Sequence, residues 1–204
     1  MYVGNVIEYI LSDLYVKLSA RLFSLLIAPC FYRFGRKSRV AAPFRFKNLN
    51  KVSVGQGVNI NKFCWIHTLK SNYSDEKDVL LSIGNGAAIG MNSTISAACA
   101  VTIGDNVFTA RNVYISDHGH AYEDISIPIK NQGVRKISPV TIGPDTWIGQ
   151  NAVILPGVTI GRHCVIGANS VVTKSFSDYS IIAGVPAKMI GNYNEAKARW
   201  IKCD

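Results

Sequence analysis

An aliphatic residue recurs every six positions between residues 142 and 174, as Ile142, Ile148, Ile154, Ile160, Ile166 and Val172, and few folds accommodate that period. Glycine follows it at Gly143, Gly149, Gly161 and Gly167. Three positions after each aliphatic come Asp145, Asn151, Gly157, His163 and Asn169; all but His163 are of types that readily take positive φ at a turn, and His tolerates it. Four positions after it stand Thr146, Ala152, Val158, Cys164 and Ser170, all small or β-branched. A six-residue period suits neither an α-helix nor a lone amphipathic strand. It suits a short strand plus a turn, repeated three times to close a triangular coil. Ile142 then lies under Ile160, Ile148 under Ile166 and Ile154 under Val172. Each coil buries its aliphatic row against the next, so stability is largely a nearest-neighbour property. Each buried Ile contributes roughly 1.5–3 kcal/mol.

A weaker copy runs Ile83, Ile89, Ile95, Ile103, Thr109, Ile115, with a two-residue slip between Ile95 and Ile103. Its turn positions hold Gly86, Asn92, Ala98, Asn106 and Asn112, and Val54, Ile60 and Ile66 begin another coil. The pattern predicts an all-β chain, a parallel β-helix of hexapeptide repeats. Two segments break the rhythm and must leave the coil: residues 69–82, polar in their first half, and residues 117–139, charged and carrying Pro128 and Pro139. Long loops on a rigid scaffold are where chemistry usually sits.

Residues 1–32 are rich in Leu, Ile, Tyr and Phe but are interrupted by Glu8, Asp13, Lys17 and Arg21. The uncharged run from Leu22 to Arg33 is shorter than the ~20 residues of a spanning helix. No charged start or small-residue cleavage site marks a signal peptide. An amphipathic helix is expected, followed by the basic stretch Arg33, Arg36, Lys37 and Arg39. It either packs on the end of the core or also lies on the inner membrane face, where basic residues meet anionic lipid. With 204 residues, 48% hydrophobic and only 17% charged, one sizeable core is expected rather than disorder. The division is an N-terminal helical segment 1–39, a β-helix 40–192 and a tail 193–204. A net charge of +9 suggests an anionic partner, without choosing between nucleic acid, a phosphorylated cofactor and a membrane surface. The five scattered cysteines form no CxxC pair and read as reduced thiols of a cytoplasmic protein.

The run TIGPDTWIGQNAVILPGVTIGRHCVIGANSVVTKSF, with IIAGVPAKMIG after it, resembles the C-terminal half of hexapeptide-repeat O-acetyltransferases, of the galactoside, maltose and capsule or O-antigen kinds. The similarity covers most of residues 40–192 and leaves the N-terminal segment unmatched. It implies a left-handed parallel β-helix, a homotrimer with sites between subunits, acetyl-CoA as acyl donor, a sugar or glycan acceptor and no metal.

Acetyl transfer to a hydroxyl needs a base for the attacking alcohol, and the same group can return the proton to the departing thiolate. A neutral histidine suits both roles, with a reference pKa of about 6.5, and supplies ~10²–10⁴-fold. The thioester oxyanion needs a donor, such as a backbone N–H. Of four histidines, His163 occupies a repeat turn and reads as structural, while His67 at a coil-to-loop junction reads as packing or solvent-facing. His118 and His120 stand at the mouth of the long loop in SDHGHAY. VYISDHGH resembles the family's strand ending in its catalytic His, which places His118 there, with His120 as rival and otherwise an acceptor contact. Asp117 could orient an imidazole or bind a sugar hydroxyl. By resemblance Asn92 lines the acceptor pocket, though Asn also fits a turn by backbone preference alone. By resemblance too, Trp147 and Gln150 flank the pantetheine arm, Gly149 permits close approach, Ala168, Thr173 and Lys174 line the cofactor edge, and Lys188 meets its phosphates. Gly191 stands where some relatives carry a second basic residue.

Sugar N-acetylation and antibiotic acetylation fit the same signature. A γ-class carbonic anhydrase-like zinc protein would need three histidine ligands, which His118, His120 and a distant His67 do not evidently supply. A bare β-helix scaffold would need neither loop histidines nor the AGVPAKMI tail. Nucleic-acid binding has only the net charge in its favour.

Overall fold

The computed structural model describes residues 3–69 and 79–203, and the side chains of residues 14–69 and 79–203. Most of the expected 69–82 loop, residues 70–78, lies outside the described residues. The described chain is a left-handed parallel β-helix with three flat faces. The first face stacks Arg33–Phe34, Val52–Val54, Leu81–Ile83, Val101–Ile103, Val140–Ile142 and Thr159–Ile160. The second stacks Arg39–Val40, Asn59–Ile60, Ala88–Ile89, Phe108–Thr109, Trp147–Ile148 and Val165–Ile166. The third stacks Arg45–Lys47, Trp65–Thr68, Thr94–Ala97, Tyr114–Ser116, Val153–Ile154 and Val171–Val172.

The expected stack is the observed one. Ile142 registers with Ile160, Ile148 with Ile166 and Ile154 with Val172, all in parallel pairs. These side chains are at most 1% exposed, so the aliphatic column is the core. Asp145, Asn151, Gly157, His163 and Asn169 all have positive φ, as do Gly86, Asn92, Asn106 and Asn112 of the weaker copy. Ala98 departs from the expectation: it lies at the widened corner where the repeat slips by two residues and does not take positive φ. Lys37 and Phe63 do, although neither is a Gly, Asn or Asp.

A 25-residue helix, α1 (Val3–Ile27), precedes the coils. It docks through small residues: Ala20, Ser24 and Ile27 are buried on one side. The Ser24 hydroxyl accepts from Val40 N–H at 2.7 Å, satisfying an edge group of the second face that no strand covers. Leu14, Leu18, Leu22, Leu25 and Leu26 remain exposed on the other side. No helix among the described residues is long and apolar enough to cross a membrane.

The coil begins at Arg33–Phe34, which pairs with Ser53 and Val54, so residue 39/40 falls inside the first coil rather than at its edge. Residues beyond 192 also join the second face. Ser180–Gly184, Ala187–Asn194 and Arg199–Lys202 form an antiparallel end to that sheet. His163, Tyr179, Tyr193 and Trp200 pack as neighbouring rings at this end.

The excursion at 117–139 is folded. Ser138 N–H donates to the Asp117 carbonyl at 2.8 Å and closes its base. Gly119–His120 pairs antiparallel with Val134–Arg135, and Arg135 forms an ion pair with Glu123.

Candidate active site

The two extra residues after Ile95 widen one corner of the coil, and three consecutive backbone N–H groups there converge. Ala98 N–H donates to Asp117 Oδ1 at 2.8 Å, and those of Cys99 and Ala100 donate to Oδ2 at 2.7 and 2.8 Å. Asp117 follows the strand Tyr114–Ser116, one coil above, and is fully buried. A buried carboxylate is costly unless its oxygens are satisfied. Burial pushes the Asp117 carboxyl up, but the His118 hydrogen bond and the N–H groups of Cys99, Ala98 and Ala100 more than offset it and hold it below the ordinary carboxylate value. The slip in the repeat thus builds a seat for an anion, and the protein's own aspartate fills it.

His118 Nδ1 lies 2.7 Å from Asp117 Oδ1, and the imidazole is 10% exposed. An ionised carboxylate only accepts, so in the neutral ring Nδ1 carries the proton and Nε2 presents the lone pair. That tautomer is the one a general base requires. The His118 backbone is fixed as well: the Ser116 hydroxyl donates to its carbonyl at 2.9 Å and faces its N–H at 3.3 Å. His118 Nε2 faces Ser96 Oγ at 3.3 Å, and Ser96 Oγ lies 3.0 Å from His67 Nε2. His67 and Ser96 are registered neighbours on the third face, and the His67 ring stacks on Trp65 with centroids 4.4 Å apart.

The structure therefore gathers Asp117 and His118 with Ser96 and His67. The sequence offers Asp117 and His118 by adjacency, but Ser96 and His67 lie 22 and 51 positions away from His118 and meet it only through coil stacking. The readable signal was the column: His67, Ser96 and Ser116 share one register position on three successive strands. His120 is exposed on the hairpin, beside Val134. Asn92 sits exposed at φ 59°, at the corner where the third face starts, whereas Ser96 and His118 are near its far end.

The expected cofactor residues fall into separate groups. Trp147, half-exposed on the second face, leads into Gly149 and Gln150 at the corner before the third face, with exposed Ala168 one coil above. Thr173 and Lys174 are exposed beyond the far end of that face, and Lys188 is exposed on the antiparallel end of the second. A Cβ at Gly149 would come within 2.6 Å of Ala168 N and 2.7 Å of Ile166 O, so the neighbouring coil requires glycine there whatever else it meets. Among the described residues no three of His, Cys, Asp and Glu are grouped as a metal-ligand set.

Two family models match the repeats: the bacterial transferase hexapeptide (six repeats) over residues 139–174, and the hexapeptide repeat of succinyl-transferase over residues 80–117. The chain is 43% identical over 128 residues to a probable acetyltransferase of Mycobacterium tuberculosis, covering 63% of this chain and 42% of that one. It is 40% identical over 134 residues to the galactoside O-acetyltransferase of Escherichia coli, covering 63% of this chain and 64% of the relative. The chain thus spans less than two thirds of either relative. In fold it is similar to a mutant of AntD, an N-acyltransferase of Bacillus cereus in complex with dTDP and coenzyme A, at TM-score 0.67 and 22% identity over 85% of this chain and 90% of that one.

Proposed function

We propose that this chain, a member of the hexapeptide-repeat superfamily, transfers an acetyl group from acetyl-CoA to a sugar hydroxyl, with His118 as general base. One observation carries the reading. A histidine at the mouth of the long loop is held in the Nδ1–H tautomer by a buried aspartate that three backbone N–H groups keep ionised. A structural carboxylate needs no imidazole, 10% exposed, beside a loop; a base does.

In this mechanism the acceptor hydroxyl displaces Ser96 from His118 Nε2, a 3.3 Å contact long enough to yield. Nε2 takes the hydroxyl proton as the oxygen forms its bond to the thioester carbonyl carbon. The tetrahedral intermediate then breaks its C–S bond, and the proton on Nε2 passes to the leaving thiolate. The products are an acetyl ester and free CoA. Asp117 stays ionised and stabilises the imidazolium between the two transfers.

Trp147, Gly149, Gln150 and Ala168 on one side, and Thr173 and Lys174 on another, would hold the acyl donor, with Lys188 toward its phosphates. Their separation across the third face favours a homotrimer in which a neighbouring copy supplies one set. His120, on the hairpin that follows His118, is the proposed acceptor contact, and Asn92, at the opposite corner of the third face, would serve from a neighbouring copy. The relative that acts on galactosides supports a sugar acceptor. Exposed leucines of α1, with Arg21, Arg36 and Arg39 around a groove of about 780 Å³, favour work at the inner membrane face on a surface glycan under assembly.

The test is release of CoA thiol from acetyl-CoA across a panel of sugars and amino sugars. Acceptor-dependent release that falls at least about a hundredfold in His118→Ala, with CoA binding intact, supports the reading. Loss only in His120→Ala moves the base to His120. Release with amino sugars alone makes the reaction N-acetylation. No release and no CoA binding leave a scaffold.

A further inference from the structure

We infer that His67, acting through the Ser96 hydroxyl, is a positioning residue for His118. The inference rests on His118 being the base proposed above, and it follows from counting protons along one column of side chains. Ser96 Oγ stands between two ring nitrogens, His67 Nε2 at 3.0 Å and His118 Nε2 at 3.3 Å, and has a single proton to give. Asp117 has already placed the His118 proton on Nδ1, so His118 Nε2 is an acceptor. If Ser96 gave its proton to His67, two lone pairs would face each other across the 3.3 Å gap. His67 would also carry its own proton on Nδ1, a ring nitrogen buried without a hydrogen-bond partner among the described residues. A stranded buried N–H is worse than a stranded lone pair.

The arrangement that satisfies every donor runs one way: His67 Nε2–H to Ser96 Oγ, and Ser96 Oγ–H to His118 Nε2. His67 therefore fixes the direction of the Ser96 dipole, which points at the lone pair that takes the substrate proton. When the acceptor hydroxyl replaces Ser96 on Nε2, the Ser96 O–H must turn away, while the 3.0 Å bond from His67 still anchors its oxygen beside the site. Burial, with His118, Lys47 and Arg45 nearby, lowers the His67 pKa and favours the neutral ring this chain of bonds requires. A ring that only packed on Trp65 would need neither nitrogen.

Two variants separate these roles. His67→Leu keeps apolar bulk against Trp65 and removes the N–H donor; His67→Gln restores a donor at the Nε2 position. We expect kcat to fall about tenfold in His67→Leu with KM for both substrates little changed, and to stay within about twofold in His67→Gln, as loss of one neutral hydrogen bond implies. The double variant His67→Leu/Ser96→Ala should be no slower than Ser96→Ala alone, because the effect passes through Ser96. Additive losses, or a Gln variant as slow as Leu, would overturn the inference. Nitrogen-15 spectra of the ring nitrogens in the free protein, above the His titration range, give an arm that needs no activity. They should show His67 protonated at Nε2 and His118 at Nδ1; a His67 proton on Nδ1 overturns the inference. A wild type that releases no CoA with any acceptor defeats the acetyltransferase reading, and the spectra still decide the proton direction.

Discussion

Asp117 and His118 are consecutive in sequence, yet their side chains meet, Oδ1 to Nδ1 at 2.7 Å, where the chain leaves the third face and turns into the loop. The aspartate reaches inward to the N–H groups of the coil below while the histidine stays at the rim. Asp117→Asn should therefore lower kcat by on the order of 10²–10⁴, because the amide no longer fixes the Nδ1–H tautomer. Binding of CoA, followed by calorimetry, should be unchanged. Activity within a few-fold of wild type would remove Asp117 from the mechanism.

The same carboxylate sets an acid limit on stability. Its folded pKa lies below the ordinary value, so its stabilisation is present above the ordinary carboxylate range and is lost as pH falls through the folded value. Asp117→Asn should cost about 2–4 kcal/mol at pH 7, since an amide cannot accept from all the donors of the seat. That gap should be smaller at a pH below the ordinary carboxylate value of about 3.9, on the way down to the folded value, than at pH 7. Urea unfolding at the two pH values checks it, and a gap independent of pH would mean that the loss is packing alone.

His67 has its own window. Burial first, then the charges of His118, Lys47 and Arg45, hold its pKa below the ordinary His value. A base with a lowered folded pKa binds protons more readily when unfolded, so stability falls as pH drops below about 6.5 and keeps falling to the folded pKa. His67→Gln should flatten this decline between roughly pH 6.5 and 5, above the range where Asp117 acts. The midpoint of thermal unfolding across that interval is the readout, and a decline equal to wild type would place the titrating group elsewhere.

Much of the fold was legible because a hexapeptide repeat writes its register into the sequence. Ile142, Ile148 and Ile154 name their partners by counting. Positive φ was legible where side-chain chemistry prefers it, at Asn106, Asn151 or Asn169, and illegible at Lys37 and Phe63, whose conformation the surrounding coils impose. The slip after Ile95 was visible as a break in the count. Its consequence was not, because three converging N–H groups have no residue signature. The His67–Ser96–His118 contact was hidden for a related reason: each residue is ordinary in its own coil, and only stacking places them together.

Asn112, Asn151 and Asn169 form a ladder along one corner, each amide donating to the next at 3.0 and 2.9 Å, all at positive φ. Two effects of Asn151 can be separated. Asn151→Gly keeps access to positive φ and loses the ladder bonds, which are solvent-exposed and worth little; about 0.5–1 kcal/mol is expected. Asn151→Ala loses both, and the left-handed conformation adds about 1–2 kcal/mol for a residue with a Cβ. Alanine should therefore be the worse variant in denaturant unfolding. Equal losses would assign the effect to the ladder instead of the backbone.

Gly149 distinguishes scaffold from cofactor site. Its resemblance-based role is to let the acyl donor approach, yet a Cβ there would meet backbone atoms of the next coil, Ala168 N at 2.6 Å, Ile166 O at 2.7 Å and Gly167 C at 2.8 Å. Backbone cannot swing aside as a flexible side chain can, so the coils must part locally. Gly149→Ala should then destabilise the free protein by about 2 kcal/mol or more, the range of overpacked cores, before any CoA is added. Gly57 supplies the control, since no atom lies within 4 Å of a Cβ there and its positive φ of 66° is the only objection to alanine. Gly57→Ala should cost about 1–2 kcal/mol. Thermal unfolding of the two variants without ligand decides the matter. If Gly149→Ala unfolds like wild type and loses only CoA affinity, the glycine serves the cofactor; if it melts well below Gly57→Ala, the glycine is there for the stack.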